Sequence, residues 1–175
     1  MYKIKTKRER VQFASDNVTG ACPEVLNAVL KANEDDKTPY GNDELSKNLQ
    51  KKFSEIFEKE VIVFPTASGT AANALALSTM TPSFGNIYCH RLSHINVDEC
   101  GAPEFYTGGA KLINLGGNNG KIIAEDLDNN ISGKGVVHHT QPSSVSITQL
   151  CETGVAYNLD EIKKISEITH KHDLN

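Results

Sequence analysis

Short apolar runs alternate with longer stretches whose apolar residues recur every three or four positions. That alternation constrains the fold of this 175-residue chain more than any other feature. The run EVIVF (60–64) reads as a buried strand. It leads through PTASGT into AANALALSTM (71–80), a helix rich in small residues and able to pack closely on a sheet. NIYC (86–89), AKLINL (110–115), GVVHHT (135–140) and SVSITQ (144–149) read as further strands, the last two separated by Gln141-Pro142-Ser143. The acidic AEDLDNNI (124–131) reads as a short surface helix, and 159–172 as an amphipathic helix with Ile162, Ile165 and Ile168 inward. Upstream, Pro23 opens a helix with Val25, Leu26, Val29 and Leu30 on one face, since a proline suits the first helical turn. After the loop NEDDKTPYGND, a second helix from about Glu44 carries Leu45, Leu49, Phe53, Ile56 and Phe57 on one side. Strand, helix, strand, helix order implies an α/β fold with a mostly parallel sheet, right-handed crossovers and helices on both faces. Ligands of such sheets sit beyond the carboxyl ends of the strands. The loops 65–70, 90–109 and 138–143 are therefore expected to form one neighbourhood.

Composition narrows the partners. The net charge of −4 offers no broad cationic surface for nucleic acid, and no apolar run approaches the ~20 residues of a membrane span. The basic start KIKTKRER lacks a following apolar segment, so residues 1–12 read as a solvated tail rather than a secretory signal. Cys22, Cys89, Cys100 and Cys151, without an export signal, are expected to be reduced thiols in the cytoplasm.

Three loops carry the chemistry. Ala67 to Asn73 follows a strand and opens a helix; Ser68, Gly69 and Thr70 there make either an anion site of free N–H groups or a serine cap with a packing glycine. It is neither a Walker A loop nor GxGxxG. The stretch CHRLSHINVDECGAPEF (89–105) gathers Cys89, His90, His94 and Cys100, but it lacks the close paired spacings of a structural zinc site. His94 reads as a satisfied histidine or as a ring placed to contact a planar ligand and exchange protons. Asp98, four residues on, either shares a helical face with it or joins Glu99 in a solvated acidic face. Of His138 and His139, only one can face a given site if the segment is a strand. Ser15-Asp16-Asn17 either caps a helix or meets a carboxylate.

Taken together, FASDN, TPYGNDE, VFPTASGTAANALAL, YCHRLSHINVDECGAPEF, TGGAKL and HHTQPSSVSITQLCETGVAYNLDEI resemble the low-specificity threonine aldolases. These belong to the β-eliminating-lyase group of pyridoxal-phosphate enzymes with the aspartate-aminotransferase-like fold. The resemblance runs from about residue 13 to the end. It implies that 13–175 form the N-terminal part of a fold-type I large domain. It implies pyridoxal 5′-phosphate as cofactor, with its phosphate on Ser68, Gly69 and Thr70 and its ring stacked on His94. It also implies Asp98 and His138 (or His139) near the substrate hydroxyl, and Ser15 or Asp16 near the substrate carboxylate. Tyr40 and Gly41 match a loop that reaches a neighbouring subunit's site in homodimers and tetramers. The implied reaction cleaves β-hydroxy-α-amino acids such as threonine to glycine and an aldehyde.

Three parts of the family pattern have no counterpart in this sequence: the Gly-Thr-Lys-type loop with the Schiff-base lysine, the His-x-Asp-Gly-Ala-Arg strand, and the small C-terminal domain with its carboxylate-binding Arg. The only arginines are Arg8, Arg10 and Arg91. The chain is therefore expected to be a truncated scaffold, inactive alone. A non-catalytic remnant, or a related lyase or racemase on the same fold, is the alternative.

Overall fold

A computed structural model describes Ser15 and residues 18–175. The tail expected at 1–12, and Asp16, lie outside the described residues. The chain forms two compact units, one ending at Phe64 and one beginning at Pro65.

The first unit holds α1 (Pro23–Ala32) and α2 (Glu44–Ile56), where the three- and four-residue spacing predicts them. Pro23 sits in the first turn of α1, and Asp43 caps α2 by accepting the Ser46 N–H at 2.9 Å. Neither helix buries a residue, so the apolar stripes of Val25, Val29, Leu30, Leu45 and Ile56 are exposed. Between them Tyr40 (φ 63°) and Gly41 (φ 76°) make the tight turn that Pro-Tyr-Gly foretells. The strand expected at 60–64 is not formed. Instead, side chains of α2 meet its polar groups: Gln50 bonds both the N–H and the carbonyl of Val63, each at 2.9 Å, and Ser54 Oγ accepts the Val61 N–H at 3.2 Å. A ladder needs a partner backbone, and an apolar run does not reveal whether one is there.

The second unit is a parallel three-stranded sheet in the order β2-β1-β3, where β1 is Gly85–His90, β2 Lys111–Leu115 and β3 Gln141–Val145. β1 lies in the centre and is buried along its whole length. Its side chains alternate between two cores. Ile87 and Cys89 pack with Leu77 of α3 (Gly69–Met80), Ile95 of α4 (His94–Val97) and Ala110. Tyr88 packs on the other face with Leu127 of α6 (Ala124–Asn130) and Ile165 of α7 (Leu159–Lys171). Helices thus cover both faces, as the alternation requires; α5 (Ala102–Tyr106) lies beside α3. Asn158 and Glu161 close a full capping box at the start of α7.

The last strand departs from expectation. Residues 135–140 form turns, and β3 begins at Gln141 with Pro142 inside it. The Gln141 side chain folds back on the preceding segment, donating to the carbonyls of Gly133, Val136 and His139 and accepting the Gly135 N–H at 2.8 Å. Gly133 has φ 83°, and a Cβ there would meet His139 Nδ1 at 2.8 Å. Pro142 is tolerated because β3 is an edge strand whose register slips just there, between the Asn86–Pro142 and Ile87–Ser144 pairs. On its outer side, Asn175 bonds Ser143 and Val145 through the backbone, both at 2.9 Å.

Candidate functional site

The carboxyl end of the sheet is where the chemistry gathers. β1 ends at His90, which is buried and fully engaged: Nδ1 accepts the Leu92 N–H at 3.1 Å, so Nε2–H donates to the Gly117 carbonyl at 3.3 Å. His90 thereby ties β1 to the loop after β2. Gly117, at φ 146°, has no room for a side chain, since a Cβ would lie 1.8 Å from the Lys121 oxygen.

Beyond His90 the chain enters α4, a single turn that begins with His94 and stops at Val97. Asp98 is its C-cap, with φ −128°, and is exposed. The ring of His94 turns to Glu99 rather than to Asp98, with Nδ1 2.8 Å from Oε1. The Glu99 side chain has no exposed surface, and His94 keeps 43% of its own. The same Oε1 accepts a hydrogen bond from Asn73 Nδ2 at 2.6 Å, while Oε2 is buried without a partner among the described residues. The hydrogen bond to Glu99 pushes the His94 pKa above its usual 6.5, with desolvation opposing and the charges of Glu99, Glu152 and Asp98 adding to the rise. Glu152, in the loop after β3, is thus part of this neighbourhood. The acidic pair 98–99 is therefore not one solvated face: Asp98 is exposed and Glu99 is the buried partner of the histidine.

Asn73 carries the link to α3. Its contact with Glu99 lies one turn after Gly69, roughly 6 Å along the axis at 1.5 Å per residue. Ser68 caps α3 by accepting the Ala71 N–H at 3.1 Å, and the Ser68 carbonyl accepts the Ala72 N–H. The amides of Gly69 and Thr70 donate to no oxygen among the described residues, and the space where a Gly69 side chain would stand is open. Two free N–H groups at the positive end of a 12-residue helix form a ready anion site.

The structure brings Ser68, Gly69, Thr70, His94 and, at the rim, Asp98 into one region through the Asn73–Glu99 contact. It does not bring His138 there. His138 and His139 precede β3 and line a depression with Asn86, the second residue of β1, and Lys111, the first of β2. That is the amino end of the sheet, where Asn86 stands four residues before His90, roughly 13 Å at about 3.3 Å per strand residue. His139 lies in the same place and does not replace it. Ser15 and Tyr40 belong to the first unit, Tyr40 almost fully exposed. Cys89 is a core residue, whereas Cys100 is exposed, at φ 51°. Among the described residues no three His, Cys, Asp or Glu side chains are grouped to hold a metal ion.

No lysine of the second unit stands at His94. Lys111 opens β2, Lys121 pairs with Glu161, Lys134 reaches the His172 carbonyl, Lys171 pairs with Asp128, and Lys163 and Lys164 lie on α7. No helix among the described residues is long and apolar enough to cross a membrane.

Residues 12–175 match the beta-eliminating lyase family. A low specificity L-threonine aldolase from a Pseudomonas species (strain NCIMB 10558) is 38% identical over 164 residues, covering 94% of this chain and 47% of that protein. A second, from Pseudomonas aeruginosa, is 37% identical over 155 residues, covering 89% of this chain and 45% of its own length. Among solved structures, a threonine aldolase from Leishmania major superposes with a TM-score of 0.82 at 25% identity, over 89% of this chain and 45% of that one. The chain therefore spans about half the length of the curated relatives it matches.

Proposed function

Because the chain belongs to the beta-eliminating lyase family, we propose that it forms the N-terminal portion, residues 13–175, of a pyridoxal-phosphate-dependent threonine aldolase. Such an enzyme cleaves β-hydroxy-α-amino acids to glycine and an aldehyde. The observation that carries this reading is the shared frame of two cofactor elements: the free amides at the start of α3 and the half-exposed ring of His94 are joined through Asn73 and Glu99. The residues fit pyridoxal phosphate on two counts. An open cradle beside Gly69 suits a phosphate, and an imidazole held at Nδ1 leaves its plane free to lie against a pyridine ring.

When bound, the cofactor supplies an electron sink for the pair released from the substrate. The chain's own residues hold and orient it: Ser68, Gly69 and Thr70 bind the phosphate, and His94 sets the tilt of the ring. Asp98 stands at the rim on the side of the substrate hydroxyl. The family resemblance assigns Ser15 or Asp16 to the substrate carboxylate, and Tyr40, on an exposed turn, to the site of a neighbouring copy in a homodimer or tetramer. Four free cysteines support a cytoplasmic setting.

The six lysines of the second unit are placed away from His94, so the chain alone should give no specific lysine adduct. Borohydride reduction with pyridoxal phosphate followed by peptide mapping tests this; stoichiometric labelling of one lysine within 1–175 would contradict it. Retro-aldol assays with threonine and allo-threonine, on the chain joined to a lysine-bearing second half, test the activity. Absence of glycine release from both would overturn the reading.

A further inference from the structure

We propose that Glu99 is the positioning residue for His94: its buried carboxylate holds the ring by Nδ1, so the neutral imidazole is the Nδ1–H tautomer and Nε2 is the atom that exchanges protons at the site. This rests on the reading of His94 as a site residue.

Geometry decides the tautomer. An ionised carboxylate oxygen only accepts. At 2.8 Å from Glu99 Oε1, Nδ1 must therefore carry the hydrogen, because a bare lone pair would face another lone pair. Nε2 makes no hydrogen bond among the described residues, and the ring is 43% exposed, so this nitrogen is the one open to a ligand or water. Glu99 cannot easily turn away. Its side chain is fully enclosed, and Asn73 pins Oε1 from α3.

The charges around the ring all have one sign. Glu99 faces it from the link between α4 and α5, Asp98 from the end of α4, and Glu152 from the loop after β3; Asn73, on α3, is neutral. A second proton on Nε2 is favoured by each of these charges. The contact at Oε1 is the one ion pair of the Glu99 carboxylate among the described residues, so a protonated His94 is the cation that balances it. His94 becomes a ring of fixed plane that readily holds a proton at Nε2, an arrangement in which a carboxylate orients an imidazole.

The test is NMR of the ¹⁵N-labelled chain, following the histidine ring nitrogens across neutral pH, with His94 assigned by its loss in His94→Asn. In the unaltered chain, neutral His94 is expected to show a protonated Nδ1 and a bare Nε2. In Glu99→Gln its titration midpoint is expected to fall, with the other histidines as internal references. A neutral ring protonated on Nε2, or a midpoint that Glu99→Gln leaves unmoved, overturns the proposal. The tautomer readout needs no variant, so a misfolded Glu99→Gln does not remove the test. Neither readout needs a cofactor; a chain that fails to bind pyridoxal phosphate would refute the proposed function while these spectra still decide the role of Glu99.

Discussion

Replacing Asn73 by alanine removes one of two donors from a carboxylate that has no access to water. A hydrogen bond to a charged group contributes about 1.5–3 kcal/mol. Two effects oppose. Alanine is a better helix former than asparagine by roughly 0.5 kcal/mol in a helix interior. His94 also remains on the same oxygen, so the carboxylate is not orphaned. The net expectation is a loss of roughly 1–2.5 kcal/mol, which at about 4 °C per kcal/mol for a domain of this size lowers Tm by roughly 4–10 °C. Urea unfolding of Asn73→Ala, Glu99→Gln and the double variant gives the coupling directly. The Asn73→Ala loss is expected to shrink in the Glu99→Gln background. A neutral Asn73→Ala, or costs that simply add, would show that Asn73 does not serve the carboxylate and that α3 is not tied to His94 in this way.

Two other outcomes follow from the same site. Gly117→Ala should lose roughly 2–5 kcal/mol in urea unfolding, since the left-handed backbone and the contact with the Lys121 carbonyl both resist a side chain; a change under about 1 kcal/mol would show that the loop after β2 is free to move. For the His94–Glu99 pair the folded pKa of His94 is raised. Its stabilisation is therefore fully present below the unfolded value near 6.5 and is lost as pH rises through the higher folded midpoint. Chemical unfolding against pH, comparing the chain with His94→Asn, should show the difference shrinking toward alkaline pH; a gap that widens there contradicts the sign.

Much of the fold is legible in the residues because periodicity is a local property. The stripes of α1, α2 and α7, the buried run of β1 and the strand β2 stand where the spacing puts them. What failed depended on partners that spacing does not reveal. The run at 60–64 has the composition of a strand, yet Gln50 and Ser54 take its backbone groups. His138 and His139 were drawn to the wrong end of the sheet because the Gln141 side chain ties 133–139 into turns before β3 begins. Glu99 escaped notice for a different reason. It stands beside Asp98, an acid of the same kind, and only burial separates the two. A helix of one turn also makes a five-residue contact from His94 available, where four-residue helical logic favoured Asp98. Signals for Glu99 did exist in part: Cys100 and Gly101, both at positive φ, turn the chain sharply just after it.

The proposed site requires that the start of α3 and the ring of His94 hold a phosphorylated pyridine. Binding of 4′-deoxypyridoxine 5′-phosphate, which has no aldehyde to react with surface lysines, measures this directly when compared with the same compound lacking its phosphate. Charged hydrogen bonds to the Gly69 and Thr70 amides should make the phosphorylated form bind at least about tenfold tighter, that is by about 1.4 kcal/mol or more, and His94→Ala should weaken both forms. Equal binding of the two compounds, or binding indifferent to His94, would contradict the account.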